Sequence, residues 1–159
     1  MRSKAGSGWP LHLTTRNDRG GAKSPCIPSC HDHPTLSTIA GYELQAAGHV
    51  WDAICTSRRL GMRALPFMRD ECGVVIDDPR KSVLYWFVPR GTAQEWALPG
   101  TTALGMGQHL VVPPQQRRHG PGRHWHISPS ETHYLTSPLL LRSSLQAARG
   151  RDCRSMEVS

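Results

Sequence analysis

The stretch Arg117-Arg118-His119-Gly120-Pro121-Gly122-Arg123-His124-Trp125-His126 gathers three arginines, three histidines and a tryptophan within ten residues. A guanidinium can hold a phosphate through two parallel hydrogen bonds and an indole can stack on a base, so Arg117, Arg118, Arg123 and Trp125 are the candidate nucleic-acid contacts. Alternation along a strand from Arg123 to Ile127 would instead turn Trp125 into the core or away from the imidazoles. A basic segment is a necessary footprint of a nucleic-acid surface and not a specific one.

Two further groups could do chemistry. Asp77 and Asp78, near Asp70 and Glu71, are candidate ligands for Mg²⁺, which takes oxygen donors and keeps several waters. Neighbours on a strand point to opposite faces, so one ion cannot easily use both side chains, and Asp78-Pro79 also starts a turn. Cys26, Cys30, His31 and His33 carry the donor inventory of a tetrahedral zinc site within eight residues. Cys30 and His31 are adjacent, however, and no apolar scaffold surrounds them. The chain has no Walker-type phosphate loop and no Gly-x-Ser-x-Gly elbow, and Gly105-Met106-Gly107 lacks the third glycine and the following helix of a dinucleotide fingerprint. Cys55 and Cys72 lie among apolar residues, as inert core thiols do.

The elements that must position these groups fit within one domain of the 159-residue chain. Nineteen Lys and Arg against 12 Asp and Glu give a net charge of +7, which favours phosphate-bearing or acidic partners. Gly and Pro supply 28 residues, below the level of low-complexity sequence. No apolar run approaches the ~20 residues of a membrane helix, and the first 21 residues lack the apolar segment of a secretory signal. Five scattered cysteines make a poor disulfide framework, and a cytoplasmic location with reduced thiols is expected. Residues 1–36 are rich in Gly, Pro, Ser and charge without periodicity and read as a disordered leader. Residues 37–149 are the domain, and the polar segment 150–159 reads as a disordered tail.

Within that domain, 38–47 has loosely helical spacing ended by Gly48, and 49–55 reads as a strand. Thr56 or Ser57 can cap a helix reaching about Met68, although Pro66 puts its last turn in question. Gly73 to Asp77 and Ser82 to Val88 form a hairpin across Asp78-Pro79-Arg80-Lys81. Thr92 to Trp96 suits one helical turn. Thr101 to Leu104 and His109 to Val112 read as a second hairpin around Gly105-Met106-Gly107. Arg123 to Ile127 returns as a strand, and Ser137-Pro138 opens a terminal helix that Gly150 ends. The fold class is α+β, a small mainly antiparallel sheet with flanking helices.

Ser82-Val-Leu-Tyr-Trp-Phe-Val-Pro89, Leu98-Pro-Gly100, Gly107-Gln-His-Leu-Val-Val-Pro-Pro114 and Gly120-Pro-Gly-Arg-His-Trp125 together resemble the second half of the bifunctional DNA primase/polymerase N-terminal domain, of the archaeo-eukaryotic primase superfamily. The resemblance covers about 50 residues. Trp51-Asp52-Ala53-Ile54 and Gly61 to Leu65 look like small proteins of GC-rich bacteria that share this half-domain. The family keeps an Asp-x-Asp metal motif and a His ahead of its aromatic strand; the equivalents here would be Ile76-Asp77-Asp78 and Val83, and neither matches. Without paired metal carboxylates the two-metal clamp of nucleotidyl transfer cannot be assembled. The resemblance therefore implies a module that binds nucleic acid, with polymerase activity lost and no cofactor. A residual Mg²⁺-dependent nucleotidyl-transfer enzyme using Asp77 or Asp78, and a protein-binding regulator, stand as alternatives.

Overall fold

Strand β2 (Trp51–Ser57) forms because Trp51, Ala53 and Cys55 alternate with Asp52, Ile54 and Thr56, giving two buried faces. In the computed structural model, which describes residues 41–129 and 133–156 with the last five as backbone only, β2 is the second strand of a five-stranded antiparallel sheet. Its order is β5 (Thr101–Leu104), β2, β4 (Val83–Pro89), β3 (Val75–Asp78), β7 (His124–Ile127). The hairpin of β3 and β4 pairs Val75 with Trp86 and Asp78 with Val83, as the turn residues Asp78-Pro79-Arg80-Lys81 demand. A separate two-stranded ribbon joins β1 (Glu43–Ala46) to β6 (His109–Val112).

The pleat divides the core in two. On one face Ile54, Leu84, Trp86 and Val88 meet helix α1 (Arg58–Met68) and helix α3 (Pro138–Met156) through Ala64, Met68, Leu141 and Leu145. Ser57 caps α1 by accepting from Leu60 N at 3.3 Å, and the helix runs through Pro66. On the other face Trp51, Ile76, Phe87 and Trp125 meet Leu110 and Val112 of the ribbon. The Phe87 ring centre lies 4.5 Å from that of Trp51 and 6.2 Å from that of Trp125. Helix α2 (Thr92–Glu95) is a single turn beside β2 and β5. Among the described residues no helix is long and apolar enough to cross a membrane.

Three expectations are corrected. Residues 43–46 form a strand, because their backbone pairs with β6, from Glu43 opposite Val112 to Ala46 opposite His109. Gly48 serves there as a turn residue at φ +93°, where a Cβ would meet Met106 N at 2.4 Å. Second, β5 and β6 do not pair with each other. The turn between them closes through Gln108 N to Gly105 O at 3.0 Å, but β5 adds to β2 and β6 to β1. Third, α3 continues through Gly150 to Met156, so residues 150–156 are helical; the Arg151 guanidinium stands over the Phe67 ring of α1 at 4.5 Å and ties the extension down. The expected leader, 1–36, lies outside the described residues.

Candidate nucleic-acid interface

Asp78 ends β3 and starts the turn into β4. Its Oδ1 accepts from Lys81 N at 3.4 Å, and Ser82 at φ +55° completes the reversal with its N–H on Pro79 O at 3.3 Å. This leaves Arg80 and Lys81 exposed at the tip. Opposite them runs the loop between β6 and β7. It is held by Arg117 N to Pro114 O and Trp125 N to Arg117 O, both 2.9 Å, and by the Trp125 indole, which donates to Pro114 O at 3.0 Å.

Turn and loop are bolted together by Arg123. Its Nε donates to Asp78 Oδ2 at 2.6 Å, Nη1 donates to Val111 O at 3.1 Å, and the guanidinium lies 5.3 Å from the Tyr85 ring centre. The Tyr42 hydroxyl donates to Arg123 O at 2.9 Å, and Arg117 lies over the Tyr42 ring at 5.6 Å. Between them is a cavity of about 480 Å³ lined by Tyr42, Asp78, Arg80, Lys81, Arg117 and Arg123 among others. Among the described residues, four cations face one carboxylate there. Asp78 is already paired with Arg123, which leaves Arg80, Lys81 and Arg117 as uncompensated charge. Among the described residues the buried Arg117 Nε has no hydrogen-bond partner, a costly state for a charged donor. Burial pushes the Tyr85 phenol and the Cys55 thiol up, so both stay neutral beneath Arg123 and add no competing negative charge.

Of the three arginines expected to act together, the structure brings Arg117 and Arg123 to the cavity. Arg118 does not line it and donates instead to Ser128 Oγ at 3.2 Å. Arg123 is partly spent on Asp78, and Arg80 and Lys81 take the vacant places. Sequence reasoning assigned those two to a turn; their positive charge was the available signal, but their convergence with a loop some 40 residues away was not legible. Tyr42 was missed for the same reason. Base stacking by Trp125 is corrected: only 2% of this residue is exposed, since its ring faces Phe87 in the core.

Asp77 and Asp78 point apart. Asp77, fully buried on the helical face, accepts from Arg58 Nε with both oxygens at 3.0 Å and has His124 Nε2 at 3.8 Å. Each carboxylate thus faces its own guanidinium on its own side of the strand, and the two offer no shared position to a metal ion. No group of three or more His, Cys, Asp or Glu that could hold a metal comes together among the described residues. Cys26, Cys30, His31 and His33 lie outside the described residues.

The sequence matches no family model and no curated protein, and the fold matches no solved structure.

Proposed function

We propose that this chain is a non-catalytic, cytoplasmic nucleic-acid-binding module of primase/polymerase-like descent, which grips a phosphate backbone in the cavity between the 78–82 turn and the 113–123 loop. The observation that carries the reading is the charge imbalance there: Arg80, Lys81 and Arg117 surround a cavity whose only carboxylate among the described residues already has a partner, and Arg117 keeps a buried donor unused there. The resemblance supports it in part: of the cavity-lining residues named here, Arg123 lies in a stretch that carries it, Gly120 to Trp125. Tyr42, 47% exposed, supplies an aromatic surface at the rim in place of Trp125.

The test is the salt dependence of binding to single-stranded DNA and RNA. Each phosphate neutralised by a fixed cation releases condensed counterions, at a slope of about −0.7 in log affinity against log salt. Three free cations give a slope of roughly −2 on that rule. Replacing Arg80, Lys81 and Arg117 together by Ala should abolish most of the slope, whereas Arg118→Ala should leave it unchanged. Absence of measurable binding at low salt would overturn the proposal.

A further inference from the structure

A second cavity, of about 420 Å³, lies at the other end of β4, where β2 begins. Its lining comes from the start of β2 (Asp52), the 89–94 connection with α2 (Arg90, Gly91, Gln94) and the turn after β5 (Gly105, Gln108). Asp52 is 1% exposed. Its Oδ2 accepts from Ala93 N at 2.8 Å, which fastens α2 to the sheet. Its Oδ1 is buried and accepts nothing from the described residues.

A carboxylate is an acceptor only, with room for several donors on its two oxygens, so one hydrogen bond leaves most of its capacity unmet. Leaving a buried charged acceptor bare costs more than leaving a neutral one bare. The wall beside it is formed by Gly105, which carries no side chain. A Cβ on Gly105 would come within 2.8 Å of the Ala93 Cβ and 3.8 Å of Asp52 Oδ1, so a side chain there would crowd this wall. Two nearby donors point elsewhere: Gly105 N donates to Gln108 Oε1 at 2.8 Å and Arg90 Nη1 donates to His49 O at 3.4 Å, while the rest of the Arg90 guanidinium adds a positive charge to the lining. The volume is many times the ~30 Å³ share of one water and falls within the ~300–1,000 Å³ of small-molecule sites.

We propose that this cavity is a binding site for a small ligand that presents a cationic nitrogen donor, a primary ammonium or a guanidinium, to Asp52 Oδ1. The carboxylate supplies charge-assisted acceptance at the floor, and the Gln94 and Gln108 amides supply neutral contacts nearer the mouth. This site is independent of the cationic cavity, which lies beyond the far end of β4 and selects the opposite charge.

The test uses the full chain with n-propylammonium and methylguanidinium as probes, read by backbone amide shifts in NMR at constant ionic strength against NaCl. Saturable shifts at Ala93 and Gly105 with either probe are expected, and which probe binds tells the two nitrogen chemistries apart. Asp52→Asn keeps the shape and the Ala93 contact and should weaken binding at least tenfold. Gln94→Lys, at an exposed position, tethers an ammonium beside the carboxylate; it should block both probes and raise Tm even if Asp52→Asn fails to fold. Shifts no larger than those from NaCl, or probe binding that survives Gln94→Lys unchanged, would overturn the proposal.

Discussion

The adjacent aspartates at the end of β3 form two ion pairs that differ in which partner is buried. On the helical face Asp77 is fully buried, while the Arg58 side chain that pairs with it is 45% exposed. On the ribbon face both partners are largely enclosed, with Arg123 bonded to Asp78 and to Val111 O and lying over Tyr85. The first pair ends at the surface, where Arg58 neutralises a carboxylate that the hairpin register places inside. The second pair lies at the wall of a cavity, and it joins a turn to a loop that together present three more cations. Two identical residues, one peptide apart, thus serve a structural and a functional region, and the pleat is what separates them.

Arg58→Ala is the strongest way to test this asymmetry. Removing the guanidinium leaves the buried Asp77 with His124 at 3.8 Å as its remaining neighbour, and because Arg58 is half exposed the cost falls below the ~3–5 kcal/mol of breaking a fully buried pair. The urea midpoint should fall accordingly, with the m-value unchanged if folding remains two-state. Asp77→Asn should cost less, because the cation it releases is half in water. If the two variants lost equal stability, Asp77 would not be the buried partner that the asymmetry requires.

How much of this was legible in the sequence depends on how local the determinant is. The β3–β4 hairpin and α1 were readable because turn chemistry at 78–81 and the Ser57 cap act over three or four residues. The strand at 43–46 was not: Leu44 stays exposed, so no apolar alternation marks it, and only pairing with β6, more than 60 residues away, makes it a strand. Gly105 and Gly107 announced a reversal correctly but carried no information on which strand each arm would join. Gly150 failed as a stop because a glycine inside a helix costs only ~1 kcal/mol, which contacts such as Arg151 on Phe67 offset. For the site, the basic loop was visible and its alternation already warned that Trp125 would turn inward. A charge inside an apolar strand was the overlooked sign at Asp52, where Trp51-Asp52-Ala53-Ile54 places a carboxylate among residues that are otherwise core.

On the ribbon face the informative change is Asp78→Asn. It removes the carboxylate that lines the cavity and the charge-assisted bond to Arg123, a loss of about 1.5–3 kcal/mol for a hydrogen bond to a charged group. It also frees the Arg123 charge for a ligand. Affinity for single-stranded DNA at low salt should therefore rise while stability falls, and the slope of log affinity against log salt should steepen by about 0.7. Asp77→Asn, one residue away, should leave both affinity and slope as they are. A parallel loss of binding in both variants would show that the DNA contact depends on folding alone and not on the charge of this face.

The smallest effect concerns thiol reactivity and compares the two faces without changing the fold. Cys72 is buried on the helical face, and burial pushes its thiol up to about 11, only partly opposed by a hydrogen bond with Thr136. Cys55 is on the ribbon face; burial raises it as well, but the Tyr85 hydroxyl and the Lys81 and Arg123 charges pull the other way. At pH 8 a thiol with a pKa of 11 is about 0.1% thiolate, against roughly a quarter for an ordinary thiol. Iodoacetamide labelling of the native chain, followed residue by residue by mass spectrometry, should therefore modify Cys55 before Cys72, and urea should equalise them. Lys81→Ala removes one of the charges that favour the Cys55 thiolate from an exposed turn position. It should slow Cys55 labelling while leaving Cys72 untouched. If Lys81→Ala slowed both cysteines alike, the cationic cavity would not be acting on its own face of the sheet, and the electrical separation of the two sides would fail.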